Sequence, residues 1–312
     1  MKIISDLTHL TVSLNSVVTI GAFDGVHLGH QALIRRLIAR ARELRCQAAL
    51  ITFHPHPSEV LTGRRAPRYL TTPEEKAAIL GELGVDLLAV LPFTRRMART
   101  SASDFLAQTS SALHMRELWV GPQFALGRDR EGDIPALRSL GRRLGFRLRV
   151  VEPVTNGGEL VTSSRIRELV RSGRVRKAGR LLGRPYSVVG NVVGGDHRGK
   201  RLGFPTANLK VPVERLLPSD GVYSGYVWVG DERYRAVMNI GFRPTFDGHE
   251  HSSVPRTLEA HLFDFNGDLY GADLKVEFVK YLRSEVKFDS IEALIAQMQE
   301  DKAQTQEILT AE

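Results

Sequence analysis

The chain has 312 residues, 42% of them hydrophobic and 25% charged, with a formal net charge of +8. That length accommodates two domains with cores of their own, and the balance excludes a disordered or fibrous chain. Cys46 is the only cysteine, which excludes an internal disulfide and a cysteine zinc site, and no apolar run reaches membrane-spanning length.

The first ten residues, MKIISDLTHL, hold no basic segment followed by an apolar core, so no secretory signal is expected and the cytoplasm is the expected compartment. Residues 17–20 read as a buried strand, and residues 31–44 carry leucines and arginines at helical spacing. Between them, IGAFDGVHLGHQ sets His27 and His30 on a turn punctuated by Gly21, Gly25 and Gly29. A strand, a tight turn and a helix start make a ready site for a phosphate chain. The helix presents unpaired N–H groups there, and glycine lets the backbone come close. Two imidazoles at that mouth suit hydrogen bonding to phosphoryl oxygens, the chemistry of nucleotidyl transfer. On the residues alone a metal site and a loop with incidental histidines stay open, although two ligands three apart without a third are a weak zinc signal. The turn matches neither G-x-G-x-x-G nor G-x-x-x-x-G-K-[ST], which disfavours a dehydrogenase or a P-loop ATPase.

Residues 47–53 read as a strand, followed by a long loop, HPHPSEVLTGRRAPRYL. Thr72-Pro73-Glu74-Glu75 is a capping box with proline at the first helical position, opening a helix that ends near Gly84. Strands at 87–91, 118–121 and 148–151 alternate with helices at 103–115 and 133–145. Strands spaced by helices predict a parallel sheet with right-handed crossovers, whose ligands sit beyond the carboxyl ends of the strands. Helices at 163–171 and 175–182 follow, and Gly183-Arg184-Pro185 marks the expected domain boundary. Residues 138–184 hold 13 Lys or Arg against 3 Asp or Glu. Such a zone suits a polyphosphate site or a nucleic-acid face, or is a solvated helical face that uses arginine as a helix former.

Beyond the boundary the pattern turns to alternation, with strands at 186–193, 222–229, 233–240, 258–265 and 274–279. Gly230-Asp231 and Asn266-Gly267 read as hairpin turns, and five or six such strands predict a small antiparallel barrel. A final helix is expected to start at Asp289 as cap, with a stripe of Ile291, Leu294, Ile295 and Met298 packing on the barrel. The segment GGDHRGKRLGFPTANL (194–209) opens with a glycine-rich basic loop suited to wrapping a polyphosphate. Thr206 and Asn208 share one face of an extended segment, and a hydroxyl and an amide oxygen are hard ligands suited to Mg²⁺. Glu259 is a carboxylate in an apolar run, either a base for an attacking hydroxyl or a surface strand residue. Alternation puts it on one face with His261.

Taken together, GAFDGVHLGHQ, TFHPHP, VTSSRIR, GKRLGFPTANL, GVY, NIGFRPTF and LEAHLFDF resemble the prokaryotic bifunctional riboflavin kinase/FAD synthetase family, in order and along nearly the whole chain. The resemblance implies an α/β plus β protein. Residues 1–184 would form a Rossmann-like nucleotidyltransferase domain with a parallel sheet, and residues 185–312 a six-stranded antiparallel β-barrel with a terminal helix. It implies phosphorylation of riboflavin to FMN and adenylylation of FMN to FAD, with ATP as co-substrate and Mg²⁺ as cofactor. The partners implied are small molecules, with no nucleic acid and no membrane. Carried over by motif, His27, His30 and Arg165 would act in adenylyl transfer, and Glu259 would be the base for the riboflavin hydroxyl. Gly21, Phe23, Asp24, Gly29 and Ser164 would line the first nucleotide site. Gly195, Lys200, Gly203 and Asn208 would line the second, with Thr206 and Asn208 on the metal. The chain departs from the family at Gln123, Ala125 and Leu126 within residues 121–127, and at His54, all in the first half.

Overall fold

The computed structural model describes residues 1–8, 10, 12–62, 68–194, 204–242 and 256–311. The chain divides into two compact units, Met1–Ser163 and Ser164–Glu312. The first unit carries β1 (Lys2–Ile4), β2 (Ser16–Ile20), α1 (Leu28–Glu43), β3 (Gln47–His54), α2 (Pro57–Thr62), α3 (Pro73–Glu82) and β4 (Leu87–Pro92). It continues through α4 (Arg95–Ala98), α5 (Ala102–Leu113), β5 (Met115–Val120), α6 (Ile134–Leu144), β6 (Arg147–Val150), and the short pair β7 (Thr155–Asn156) and β8 (Glu159–Leu160).

Six of these strands form a sheet in the order β1-β4-β3-β2-β5-β6, every neighbouring pair parallel. Every residue of β2 is buried, because helices cover both faces. Val18 and Ile20 pack with Phe105 and Leu106 of α5 and Leu137 of α6. On the other face Leu50 and Leu88 pack with Ile34 of α1 and Leu80 of α3. The chain runs outward from β2 through β3 to β4, then returns to the other side of β2 as β5. That reversal opens a crevice at the carboxyl ends of β2 and β5.

Two local expectations change. Helix α1 begins at Leu28 with His27 as its N-cap, so the two histidines belong to the helix start rather than to a free turn. Residues 57–62, expected as loop, form α2, because Pro57 suits a first helical position and the His56 ring accepts the Ser58 N–H at 3.2 Å. The capping box of α3 is present, with Thr72 Oγ1 accepting from Glu75 N–H and the Glu75 carboxylate from Thr72 N–H.

The second unit holds α7 (Ser163–Arg171, from its second residue), α8 (Val175–Leu182) and strands β9 (Tyr186–Val193), β10 (Ala207–Lys210), β11 (Gly221–Val229), β12 (Glu232–Phe242), β13 (Arg256–Leu262) and β14 (Asp273–Arg283). It ends in α9 (Ile291–Thr310). The six strands close into an antiparallel barrel, β10-β13-β12-β11-β14-β9. Val188, Val227, Ala236, Met238, Leu258, Ala260 and Val276 fill its core. Helix α8 lies against β9 and β14 with Val175, Ala178, Leu181 and Leu182 buried. Helix α8 ends at Leu182 with Gly183 as its C-cap, just before the boundary expected after Arg184.

Gly230-Asp231 does turn β11 into β12 as a hairpin. Asn266-Gly267 does not: it links β13 to β14, which are not neighbours, because β11 and β12 lie between them in the barrel. The cap of α9 is Ser290, which accepts from Ala293 N–H, and not Asp289. Ile291 is exposed, and the buried positions of α9 are Asp301, Thr305 and Leu309. Asp301 is buried because Arg283 at the end of β14 grips it with two hydrogen bonds of 2.9 and 2.7 Å.

At Gly225 β14 approaches β11 so closely that a Cβ there would stand 1.9 Å from the Glu277 carbonyl oxygen. Gly225→Ala is expected to destabilise the barrel by about 2–3 kcal/mol, measured as a lower denaturant midpoint; overpacking costs of this kind run ~1–3 kcal/mol or more.

Candidate functional site

At the mouth of the crevice in the first unit the backbone departs from ordinary geometry. Phe23, Gly25 and Val26 all have positive φ, at 48°, 80° and 38°. Only the glycine adopts this without strain; a β-branched valine there is an outlier, of a kind concentrated at functional sites. The distortion delivers His27 and His30 to the start of α1 with their rings stacked, centroids 3.6 Å apart and planes 15° apart. Phe23 meets His30 edge-on at 5.0 Å. A Cβ on Gly29 would press on the His27 ring at 3.1 Å, and one on Gly21 on the Phe23 ring at 3.0 Å, so both positions favour glycine.

The hydrogen bonding sets the tautomers. His27 Nδ1 accepts the His30 N–H at 3.3 Å, which leaves the His27 proton on Nε2. His30 Nδ1 is buried without a partner among the described residues. An unprotonated Nδ1 is the less costly choice there, so His30 also carries its proton on Nε2. Burial, then the neighbouring His27, then the Lys76 ammonium hold the His30 pKa well below the usual histidine range. Each ring thus presents an Nε2–H suited to a phosphoryl oxygen.

The turn is pinned from behind. Asp24 is 2% exposed, and its carboxylate accepts from Leu70 N–H, Thr71 N–H and Thr71 Oγ1. Thr71 Oγ1 in turn accepts the Gly25 N–H at 3.0 Å. Lys76 Nζ donates to the Ala22 carbonyl at 2.7 Å, Thr52 Oγ1 donates to the same oxygen at 3.1 Å, and Ser163 Oγ donates to the Asp24 carbonyl at 2.9 Å.

Two cavities meet here. One, of about 410 Å³, is lined by Gly21, Phe23, His27, Gly29, His30 and the 120–124 segment, with Glu152 to Val154 on its far side. The other, of about 420 Å³, is mostly apolar and lined by Phe53, Phe93, Phe105, Phe124 and Ala125 among others. Ile20, Gly21 and Phe124 line both. A larger groove, of about 820 Å³, lies at the amino ends of β2, β5 and β6 among arginines including Arg116, Arg138, Arg142 and Arg147. It is on the wrong side of the sheet for ligands that use helix N-termini and strand carboxyl ends, so its size does not make it the site.

In the second unit, Asn208 of β10, Glu259 of β13 and Asn239 of β12 stand directly opposite one another across three strands. Leu258, Ala260 and Leu262 point into the barrel, so this polar row lies on its outer face. Asn239 Nδ2 donates to Glu285 Oε1 at 2.9 Å. His261 shares the face with Glu259, and its Nδ1 lies 2.8 Å from the Pro205 carbonyl, fixing the segment that carries Thr206. A cavity of about 670 Å³ is lined by Thr206, Asn208, Phe265, Asn266, Asp268 and Tyr270.

A FAD synthetase family model matches residues 10–165, and a riboflavin kinase model matches residues 182–309. A Listeria monocytogenes bifunctional riboflavin kinase/FMN adenylyltransferase is 36% identical over 94% of this chain and 92% of its own. The chain belongs to this bifunctional family. The Escherichia coli K12 member is 36% identical, covering 98% of this chain and 97% of its own. A solved Streptococcus pneumoniae structure described as a macrolide-efflux protein superposes with a TM-score of 0.88 and 32% identity, over 97% of this chain and 98% of that one.

Against the expectations for this family, the structure brings His27, His30, Gly21, Phe23, Asp24 and Gly29 together. Asp24 acts by holding the loop at 70–71 rather than by lining the cavity. Ser164 and Arg165 fall on the first turn of α7, in the second unit, where Arg165 pairs with Glu168 at 2.9 Å. Thr206 and Asn208 line one cavity, and Glu259 is the cross-strand neighbour of Asn208. Gly195, Lys200 and Gly203 lie outside the described residues, as does the 243–246 part of NIGFRPTF. Lys76, Thr52, Thr71 and Ser163 were not legible as site residues, and neither were Asn239 and Glu285. The one available signal for Lys76 was a lysine in the first turn of a helix whose cap favours acids.

Asp24→Ala leaves the Leu70 and Thr71 N–H groups without their charged acceptor. It is expected to destabilise the first unit by ~2–4 kcal/mol and to abolish nucleotide binding there, read by calorimetric titration with an ATP analogue.

Proposed function

We propose that this protein makes FMN and FAD from riboflavin, with the kinase reaction in the barrel and adenylyl transfer at the histidine pair. What supports the reading is that each of the two family matches falls on a part of the chain that holds a cleft of its own. The functional division proposed is 1–184 for adenylyl transfer and 185–312 for the kinase.

In the kinase reaction the riboflavin ribityl hydroxyl attacks the γ-phosphorus of ATP, ADP leaves, and the hydroxyl proton passes to Glu259. A carboxylate beside Asn208 and Asn239 on an outer barrel face is placed to take a proton from a substrate lying across that face. The oxygen donors of Thr206 and Asn208, with Glu259 adjacent, suit a hard cation, and these residues would hold Mg²⁺. Bound there, the cation would neutralise charge on the transferring phosphate. Gly195, Lys200 and Gly203 are proposed to complete the phosphate loop.

In adenylyl transfer a phosphate oxygen of FMN attacks the α-phosphorus of ATP and pyrophosphate leaves. Both reactions are in-line displacements, so positioning and charge neutralisation do most of the work. His27 and His30 donate from Nε2 to phosphoryl oxygens, backed by the N–H groups at the start of α1. The phenylalanine-lined cavity, continuous with this site through Gly21 and Phe124, suits the flat apolar ring system of a flavin. Ala125 and Leu126 both line that cavity, so the departure at 121–127 maintains an apolar pocket, which argues against an impaired first domain. Ser164 and Arg165 are proposed to act on the phosphates as the family motif implies.

Among the described residues no helix is long and apolar enough to cross a membrane. The cytoplasm is the proposed compartment, and the partners proposed are the small-molecule substrates alone.

Incubating the purified protein with riboflavin, ATP and MgCl₂ and separating flavins by chromatography is expected to give FMN and then FAD. FMN alone would sink the proposal for the first half, and neither product would sink it entirely. Glu259→Gln is expected to cut FMN formation by roughly a hundredfold or more while FMN-to-FAD conversion continues. His30→Ala is expected to show the reverse pattern, with FAD formation down by roughly a hundredfold.

A further inference from the structure

The basic zone that begins at Arg138 feeds the groove of about 820 Å³ at the amino ends of β2, β5 and β6. This groove lies within the first unit, at the opposite ends of the strands from the histidine cleft. Five arginines line it against one acid, Glu117. Arg40 is taken up by Glu43 at 2.9 Å and Glu117 at 3.2 Å, and Arg149 lies 3.7 Å from the same Glu117 carboxylate. That leaves Arg116 of β5, Arg138 and Arg142 of α6, and Arg147 of β6. All four are exposed, and none has an ion pair or side-chain hydrogen bond among the described residues. Helix-end charge does not explain the set. Arg142 is in the last turn of α6 and complements its dipole, but Arg138 is mid-helix and Arg116 and Arg147 lie at strand starts. Arg138 and Arg142 stand one turn apart, and a like-charge pair at that spacing weakens a helix.

We propose that this groove binds a linear polyphosphate chain, inorganic or the tail of a nucleotide, as a ligand beyond the substrates held in the two catalytic clefts. A guanidinium pairs bidentately with phosphate oxygens, and four of them converging from three elements suit an anion of several charges better than a single phosphate. Among the described lining residues only Asn15 and the already paired Glu117 carry a side-chain oxygen. The groove therefore offers donors, and a polyphosphate brings only acceptors. A peptide would bring N–H donors that find few acceptors here. Single-stranded nucleic acid is disfavoured because Phe146, the aromatic residue in the described lining, is buried and offers no face for base stacking. The site does not depend on which reaction the histidine cleft carries out.

Calorimetric titration of the full-length protein with sodium tetraphosphate, without Mg²⁺, is expected to show a binding event that an Arg138→Gln, Arg142→Gln double variant weakens by roughly tenfold or more. Binding in the catalytic clefts is common to both proteins, so the difference reads the groove alone. A second double variant, Arg116→Gln with Arg147→Gln, changes strands instead of the helix and is expected to give the same loss. Both variants are expected to unfold near the wild-type temperature, because the side chains removed are exposed and unpaired. In competition titrations, displacement of tetraphosphate from the groove by excess ATP supports a nucleotide tail as the ligand, and its retention supports inorganic polyphosphate. No binding by the wild-type protein, equal binding by wild type and both variants, or tighter binding at the groove by a short single-stranded RNA or an oligoglutamate would each overturn the proposal.

Discussion

The carboxylate of Asp24 holds together a stretch of backbone that would not keep its shape alone. Two non-glycine residues of the Gly21–Val26 turn sit at positive φ, and each such residue costs on the order of 1 kcal/mol or more. Asp24 offsets this by accepting three hydrogen bonds from a loop more than forty residues further on, while Thr71 reaches back to the Gly25 N–H. The strained turn and the loop at 70–71 therefore stand or fall together. The consequence is local and chemical: two imidazoles stacked at a helix start, their tautomers fixed by one hydrogen bond and by one buried nitrogen that has no partner among the described residues.

The barrel solves a similar problem by a different route. In this closed antiparallel barrel the strand carboxyl ends alternate between the two rims, and the polar row stands on the outer wall. Ladder register does the positioning there, bringing Asn208, Glu259 and Asn239 level across three strands from positions far apart in the chain. His261 then ties down the segment leading into β10, and burial of its ring, only partly opposed by the Pro205 carbonyl, holds its pKa below the usual range. Helix α9 packs on β11 and β12, with Leu294, Ile295 and Met298 half-buried and an ion pair of Arg283 with the buried Asp301 tying it to the end of β14.

Local signals explain which expectations held. The capping box at Thr72, the cap and stop at Asp133 and Gly145, and the bounds of α7, α8 and β9 are set by residues adjacent in sequence, and the structure keeps them. The errors arose where a distant partner decided. Asn266-Gly267 has good turn chemistry, but pairing was settled by which strands the barrel had already placed side by side. Ile291 fits the helical stripe of α9 yet is exposed, whereas Leu294, Ile295 and Met298 of the same stripe are half-buried. Of the proposed nucleotide site, His27, His30 and Gly29 were legible because spacing on one helix start brings them together. Lys76, Thr52, Thr71 and Ser163 were not, because only sheet and loop packing carries them to the turn.

The sequence alone therefore determined the element types and the α/β half followed by the barrel half. Hydrophobic period, caps and glycine spacing are properties of neighbouring residues, and they act before the chain folds. Tertiary structure alone decided which strands pair, where the two cavities meet, and that a lysine and an aspartate are buried under the histidine turn. Those outcomes depend on desolvation and on hydrogen bonds between segments tens of residues apart, and no local pattern encodes them.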